Sequence, residues 1–281
     1  MAQRPPSAAV LILHGGHETG VEAPPPGFLN LPALRMRPFF RAVSRATGGE
    51  GDRDALDALD AREERDARDG EGRDGEGRDG ERRDGERRGP VLVRNVRYAH
   101  RGWNGTREDP LHDAVSALDA LRREAGDLPV VLLGHSMGAR AALRAADHSL
   151  VRAVVGLAPW CPPGDPVTQL AGRDVVLLHS TRDRVTSPQA TQSLTARARR
   201  AGARTCMITV RGGDHAMIRR APAWHHLTTA LVTGLLGLAP LPGPVTTALG
   251  LPLHAEATEG TLDLDTLRAG RARPAAARPR R

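Results

Sequence analysis

Six short apolar runs, at residues 8–13, 91–96, 130–133, 151–157, 175–179 and 205–210, alternate with segments patterned as helices at 32–46, 110–125, 137–146, 188–201 and 222–238. The runs are rich in Val, Leu and Ile and nearly free of polar residues, which suits strands buried on both faces. Such strands, separated by helices, predict a doubly wound α/β fold: a mostly parallel sheet of about six strands with helices on both faces. One helix carries its punctuation at both ends. Ser187 stands as N-cap before Pro188 at the first helical position, and Gly202 follows the last turn. In this architecture ligands bind beyond the carboxyl ends of the strands.

Two stretches break the alternation. In residues 50–89, Arg-Asp-Gly-Glu recurs with a period of five from Arg68, Arg73, Arg78 and Arg83, and 16 acidic residues face 10 arginines. Apolar residues nearly vanish after Leu59, so the segment cannot bury enough surface to offset its ordering entropy; it reads as a disordered insertion in a surface loop. From residue 239 onward, Pro240, Pro242 and Pro244 lead into a weakly patterned stretch ending in Arg, Ala and Pro, read as a flexible tail over 239–281. Residues 1–49 and 90–238 then form one domain, with 40% hydrophobic residues in the chain to supply a core.

Composition narrows the function classes. The formal charge is +7 and all 40 basic residues are arginine, a bias that points to codon usage in a GC-rich genome before it points to chemistry. Part of that charge sits in the tail, and the folded part has no basic stripe interleaved with aromatics, so no nucleic-acid partner is expected. Cys161 and Cys206 lack metal-type spacing and are too few for a disulfide framework, which fits a reducing cytoplasm. The apolar run at 8–13 is too short for a signal-peptide core and leads into His-Gly-Gly rather than a cleavage site. No stretch approaches the ~20 apolar residues of a membrane span, so no membrane association is expected.

The segment "VVLLGHSMGARAALRAA" at 130–146 joins a strand to a helix with almost no loop. A turn this tight forces its central residue, Ser136, into a strained backbone conformation, and only glycine fits at Gly134 and Gly138. The strain lifts Ser136 Oγ clear of the sheet, while the new helix aims its first N–H groups, Met137 foremost, at the same spot. A serine nucleophile needs a base, and the base an orienting acid. The loop "STRDRVTSP" after the fifth run offers Asp183, and "RGGDHAMIRR" after the sixth offers His215. Asp165 and Asp174 are weaker rivals for the acid, as are His225 and His226 for the base. After the first run, "LILHGGHETG" places Gly16, with Gly15 behind it, to present a backbone N–H to an oxyanion; His14 reads as a brace for that loop.

Taken together, "HGG", "GHSMG", "TRDRVTSP" and "GGDHAM" resemble the α/β-hydrolase superfamily over roughly residues 8 to 238, outside the insertion. The chain looks most like compact bacterial members of the esterase, lipase and dienelactone-hydrolase-like type, although dienelactone hydrolases proper carry Cys where this chain has Ser136. The resemblance implies Ser136 as nucleophile, Asp183 as acid, His215 as base, and Gly16 with Met137 as oxyanion hole. It also implies that the family's first two strands are missing, that any lid is confined to residues 158–172, and that no metal or organic cofactor is needed. The expected substrate is a small carboxylic ester, thioester or amide; the alternative is a non-catalytic binding protein on the same scaffold. Trp103, Asn104, Trp160 and Met217, together with Tyr98, Cys161 and Pro162, are expected to wall a shallow pocket favouring acyl chains of about two to six carbons.

Overall fold

The computed structural model describes residues 4–48 and 89–269. The charged-repeat insertion, up to residue 88, and residues 270–281 lie outside the described residues. The six apolar runs form β1 (Ala8–Leu13), β2 (Val91–Asn95), β3 (Val130–His135), β4 (Val151–Leu157), β5 (Asp174–Ser180) and β6 (Arg204–Val210). The helical segments are α1 (Leu31–Thr47), α2 (Asp109–Ala125), α3 (Met137–Arg144), α4 (Pro188–Arg200) and α5 (Ala221–Leu235). At the start of α4, Ser187 Oγ accepts the Ala190 N–H at 3.1 Å, and Gly202 beyond its end has φ 98°.

The sheet order is β2-β1-β3-β4-β5-β6-β7, and every pairing is parallel. Alternate residues of the central strands feed two cores. Val10 and Ile12 of β1 pack with Met36, Phe39 and Phe40 of α1 and with Trp224 and Leu231 of α5. Leu11 and Leu13 pack on the other face with Leu118 of α2, Ala142 of α3 and Leu194 of α4. Period-two alternation, apolar on both faces, is the pattern of strands covered on both sides. The chain turns outward from β1 to β2 and the opposite way from β3 onward. That leaves a crevice at the carboxyl ends of β1 and β3, where a doubly wound sheet receives its ligand.

The sheet has seven strands rather than about six, and the expected tail is corrected with it. Residues 243–269 form α6 (Gly243–Leu249), β7 (Thr261–Asp263) and α7 (Leu264–Ala269). β7 pairs with β6 from Met207↔Thr261 to Thr209↔Asp263. Val245, Ala248, Leu249, Leu264 and Leu267 are buried in the core that holds α1 and α5. The fully buried Arg199 ties the segment down, donating to the carbonyl oxygens of Thr205 at 2.9 Å and Glu256 at 3.3 Å. A three-residue strand and a seven-residue helix are too short to show a hydrophobic period, and this hid them among the prolines.

Candidate active site

Ser136 links β3 to α3 with φ 53° and ψ −118°, a conformation that costs a non-glycine residue of order 1–3 kcal/mol. Neighbouring backbone fixes it. Its N–H donates to Leu157 O at 3.0 Å, and its carbonyl accepts from Ala139 N at 3.1 Å, Arg140 N at 3.2 Å and Trp160 N at 3.2 Å. The flanking glycines are there for contact. A Cβ on Gly134 would overlap the Gly138 carbonyl and Ala139 backbone, and one on Gly138 would overlap the carbonyl oxygens of Leu13 and His14.

The loops after β5 and β6 bring Asp183 and His215 to this turn. His215 Nε2 lies 3.1 Å from Ser136 Oγ, and its Nδ1 lies 2.8 Å from Asp183 Oδ2. The hydrogen-bond network assigns the proton to Nδ1, donated to Asp183, and leaves Nε2 to accept from the serine hydroxyl. Asp183 is anchored by further donors: the N–H groups of Val185 at 2.8 Å and Thr186 at 2.9 Å on Oδ1, and the Thr186 hydroxyl at 3.0 Å on Oδ2. Burial alone would raise its pKa; hydrogen bonds from His179 and His215 and from the Thr186 and Val185 backbone outweigh burial and hold the carboxyl well below the usual carboxylate range. Of the rivals, Asp165 pairs with Arg140 at 2.7 Å, Asp174 with Arg204 at 2.6 Å, and His225 packs edge-on against Phe39.

Two histidines at the site escaped the sequence reading. His179, fully buried near the end of β5, places Nε2 3.2 Å from Asp183 Oδ2. His135, the residue before Ser136, donates from Nε2 to the His215 carbonyl at 2.9 Å. Its Nδ1 is buried with no partner among the described residues. Burial first, then the proximity of His215, pushes the His135 pKa down to about 3 against the opposing hydrogen bond to His215 O, with Arg35 pushing the same way and Asp183 opposing. The signal for both was position alone: each belongs to the last two residues of a strand whose carboxyl end faces the site.

The loop after β1 lies against the serine. A Cβ on Gly15 would stand 3.4 Å from Ser136 Cβ, and one on Gly16 would overlap the Met137 side chain and the Arg101 carbonyl. Backbone bonds from Arg101, Gly102, Trp103 and Asn104 to Glu22, Gly20, His17 and Glu18, at 2.9–3.0 Å, zip this loop to the one after β2. His14 Nδ1 meets Gly15 O at 2.6 Å and Tyr98 donates to His14 O at 3.1 Å, so His14 braces the loop. Met137 opens α3, where a first-turn N–H has no acceptor within the helix.

An open cleft of about 500 Å³ faces Ser136, His135 and His215. Its apolar wall is Pro24, Pro25, Leu29, Leu31, Pro32 and Val185, with Arg35 and Arg101 at its edge. Trp103, Asn104, Trp160 and Met217, expected to wall the site, are not among the residues lining this cleft. The Arg140 guanidinium stacks 3.9 Å from the ring of Trp103 and 4.5 Å from that of Trp160, while it pairs with Asp165. Asn104 bonds Gly20 N at 2.7 Å and Asp109 Oδ2 at 2.7 Å, and so staples the two loops together. Met217 is a buried core residue with φ 60°. Residues 158–172, the expected lid, contribute nothing to the cleft lining. No helix among the described residues is long and apolar enough to cross a membrane.

No protein-family model matches the sequence, and no curated protein sequence matches it. Solved structures do. The chain is 14% identical to a candidate α/β hydrolase of unknown function from Agrobacterium tumefaciens, with a TM-score of 0.51 over 86% of this chain and 94% of that one. It is 10% identical to Est1E from Butyrivibrio proteoclasticus, with a TM-score of 0.50 over 83% and 90% of the two chains. An uncharacterized protein from Bacillus cereus matches at 12% identity and a TM-score of 0.53, over 85% of this chain and 62% of that one. At such identities the likeness is one of backbone; with the parallel sheet and the strand-to-helix turn at Ser136, it establishes that this chain has the α/β-hydrolase fold.

Proposed function

We propose that this protein is a serine hydrolase that cleaves a small carboxylic ester, thioester or amide through an acyl-enzyme intermediate. The observation that carries the reading is the unbroken chain of hydrogen bonds from Ser136 Oγ through His215 to Asp183, opening on a cleft. In the reaction, His215 Nε2 takes the hydroxyl proton as Ser136 Oγ attacks the acyl carbonyl. Asp183, kept ionised by its donors, holds the Nδ1–H tautomer and stabilises the imidazolium. The N–H groups of Met137 and Gly16 receive the oxyanion. The imidazolium returns its proton to the leaving group. Water, deprotonated by His215, then attacks the acyl-enzyme and releases the acid and Ser136. The strained serine backbone is accounted for by this role, since it exposes Oγ at the start of a helix.

The test is covalent labelling by a fluorophosphonate probe together with a panel of p-nitrophenyl esters. Ser136 takes the label, and Ser136→Ala loses both the label and turnover, by about 10⁴-fold or more in kcat. An unlabelled serine in folded protein, or ester turnover that survives Ser136→Ala, overturns the reading.

A further inference from the structure

The ionisable side chains lining the cleft are His14, His17, Arg35, Arg101, His135 and His215, with no Asp or Glu among them. Charge on the two arginines is handled differently. Arg101 is paired, its Nε 3.1 Å from Glu22 Oε2. Arg35 lines the cleft from α1, is partly buried, and has no acidic partner among the described residues. Its place also offers it little from its own helix. It sits near the start of α1, which begins at Leu31, and that is the positive end, where a cation gains nothing from the dipole. Asn30, just before the helix, is committed: its Oδ1 caps α1 by accepting from Ala33 N at 3.2 Å. A partly buried guanidinium with no acidic partner leaves its planar fork available, and that fork fits carboxylate or phosphate oxygens.

We propose that the substrate cleaved at Ser136 carries an anionic group, carboxylate or phosphate, that pairs with Arg35 across the cleft. The inference rests on the serine-hydrolase reading and sharpens it to a substrate class. The apolar wall of Leu29, Leu31 and the prolines takes the carbon skeleton, and Arg35 fixes which end faces away from the nucleophile. Arg101, whose Nε is paired with Glu22, adds to the positive field of the cleft.

The experiment compares matched anionic and neutral substrates. p-Nitrophenyl hydrogen glutarate is set against p-nitrophenyl pentanoate for an anion on the acyl side. For the leaving-group side, 4-acetoxybenzoate and 4-acetoxyphenyl phosphate are set against methyl 4-acetoxybenzoate, which separates carboxylate from phosphate. The expected result is that at least one anionic member exceeds its neutral partner in kcat/KM by about tenfold, and that this ratio collapses in Arg35→Gln and inverts in Arg35→Glu. The preference also falls as salt is added. Protection gives a readout that needs no turnover: glutarate or inorganic phosphate slows fluorophosphonate labelling of Ser136 in the wild type and not in Arg35→Gln. Labelling with no anionic preference and no protection overturns this inference alone, as does a preference that survives Arg35→Gln in protein with an unchanged melting curve. Absence of labelling overturns the serine-hydrolase reading, and this inference with it.

Discussion

His179 and Asp183 lie four residues apart across the end of β5, and the His179 Nε2 stands 3.2 Å from the same carboxylate oxygen that His215 Nδ1 approaches at 2.8 Å. Both side chains of the pair are fully buried. With its proton on Nε2, His179 donates to Asp183 and accepts from Thr191 Oγ1, 2.8 Å from its Nδ1. The carboxylate thus has a histidine on each side, one facing the serine and one facing the core.

This arrangement predicts the effect of removing His179. Loss of a hydrogen bond to a buried charge costs about 1.5–3 kcal/mol. The Asp183 pKa is depressed in the folded state, so its contribution to stability is present above the unfolded carboxylate value and is lost as pH falls through the folded one. His179→Phe raises the folded value and therefore moves acid unfolding to higher pH. Turnover also falls, with kcat affected more than KM because the acid's position relative to His215 changes. His179→Gln, which keeps an N–H donor, recovers part of both. Circular-dichroism acid titrations and pH–rate profiles of the two variants check this; an acid transition unmoved in His179→Phe contradicts it.

A second pH dependence comes from His135, whose pKa falls from 6.5 to about 3 on burial. The unfolded chain takes up this proton first as the solution is acidified. Stability is therefore lost as pH drops below 6.5 and goes on falling until the folded value is reached, by about 1.4 kcal/mol per pH unit. His14 and His225, also depressed by burial, add slopes of the same sign. His135→Gln can keep a donor to the His215 carbonyl without titrating, so its denaturant-derived stability declines less steeply between about pH 6 and pH 4, by the equivalent of one proton. Equal slopes for the variant and the wild type count against the neutral buried state of His135.

The C-terminal segment gives a third prediction. Ending the chain at Leu238 removes Val245, Ala248, Leu249, Leu264 and Leu267 from the core and leaves β6 as an uncovered edge. Fully burying a large apolar side chain contributes roughly 1.5–3 kcal/mol, so the loss is comparable to the whole stability of an ordinary domain. Such a chain is expected to be insoluble or to melt without cooperativity. Cooperative unfolding of the truncated protein at the melting temperature of the full chain would place this segment outside the folding unit.

What was legible in the sequence was what repeats or what geometry forbids to vary. The strands announced themselves through buried Val and Leu, and the turn at Ser136 through Gly134 and Gly138, where a Cβ would overlap neighbouring backbone. Asp183 and His215 were legible because the ends of β5 and β6 had already been located. The rest depends on contacts with no local signature. Arg140, Trp103 and the Trp160–Asp165 loop come from three separate segments, and nothing near Trp103 in the chain shows that an arginine will stack on it. Likewise the proline-rich stretch from Pro24 to Pro32 has the composition of a plain connector; only the fold carries it to the mouth of the cleft. Pro244 marks a helix start rather than a tail, since α6 opens at Gly243 with proline in its first turn.

The final prediction follows from that cleft wall. Leu29, Leu31 and Val185 line it yet remain 59%, 62% and 72% exposed, so the apolar surface is a shallow rim rather than a tunnel. A bound acyl chain covers this rim for a few carbons and then runs into solvent. Each methylene contributes about 0.8 kcal/mol only while it is buried. For neutral p-nitrophenyl esters, kcat/KM is expected to rise from acetate to about six carbons and then level. Leu31→Ala and Leu29→Ala flatten the rising part, with little effect on acetate, which is too short to reach them. Trp160→Ala behaves differently. It removes the ring stacked on Arg140, so it lowers the melting temperature while the shape of the chain-length profile stays the same. Measuring kcat/KM from acetate to palmitate for the wild type and these three variants decides between the two walls. A profile that Trp160→Ala reshapes and Leu31→Ala leaves intact would put the acyl site on the tryptophan side.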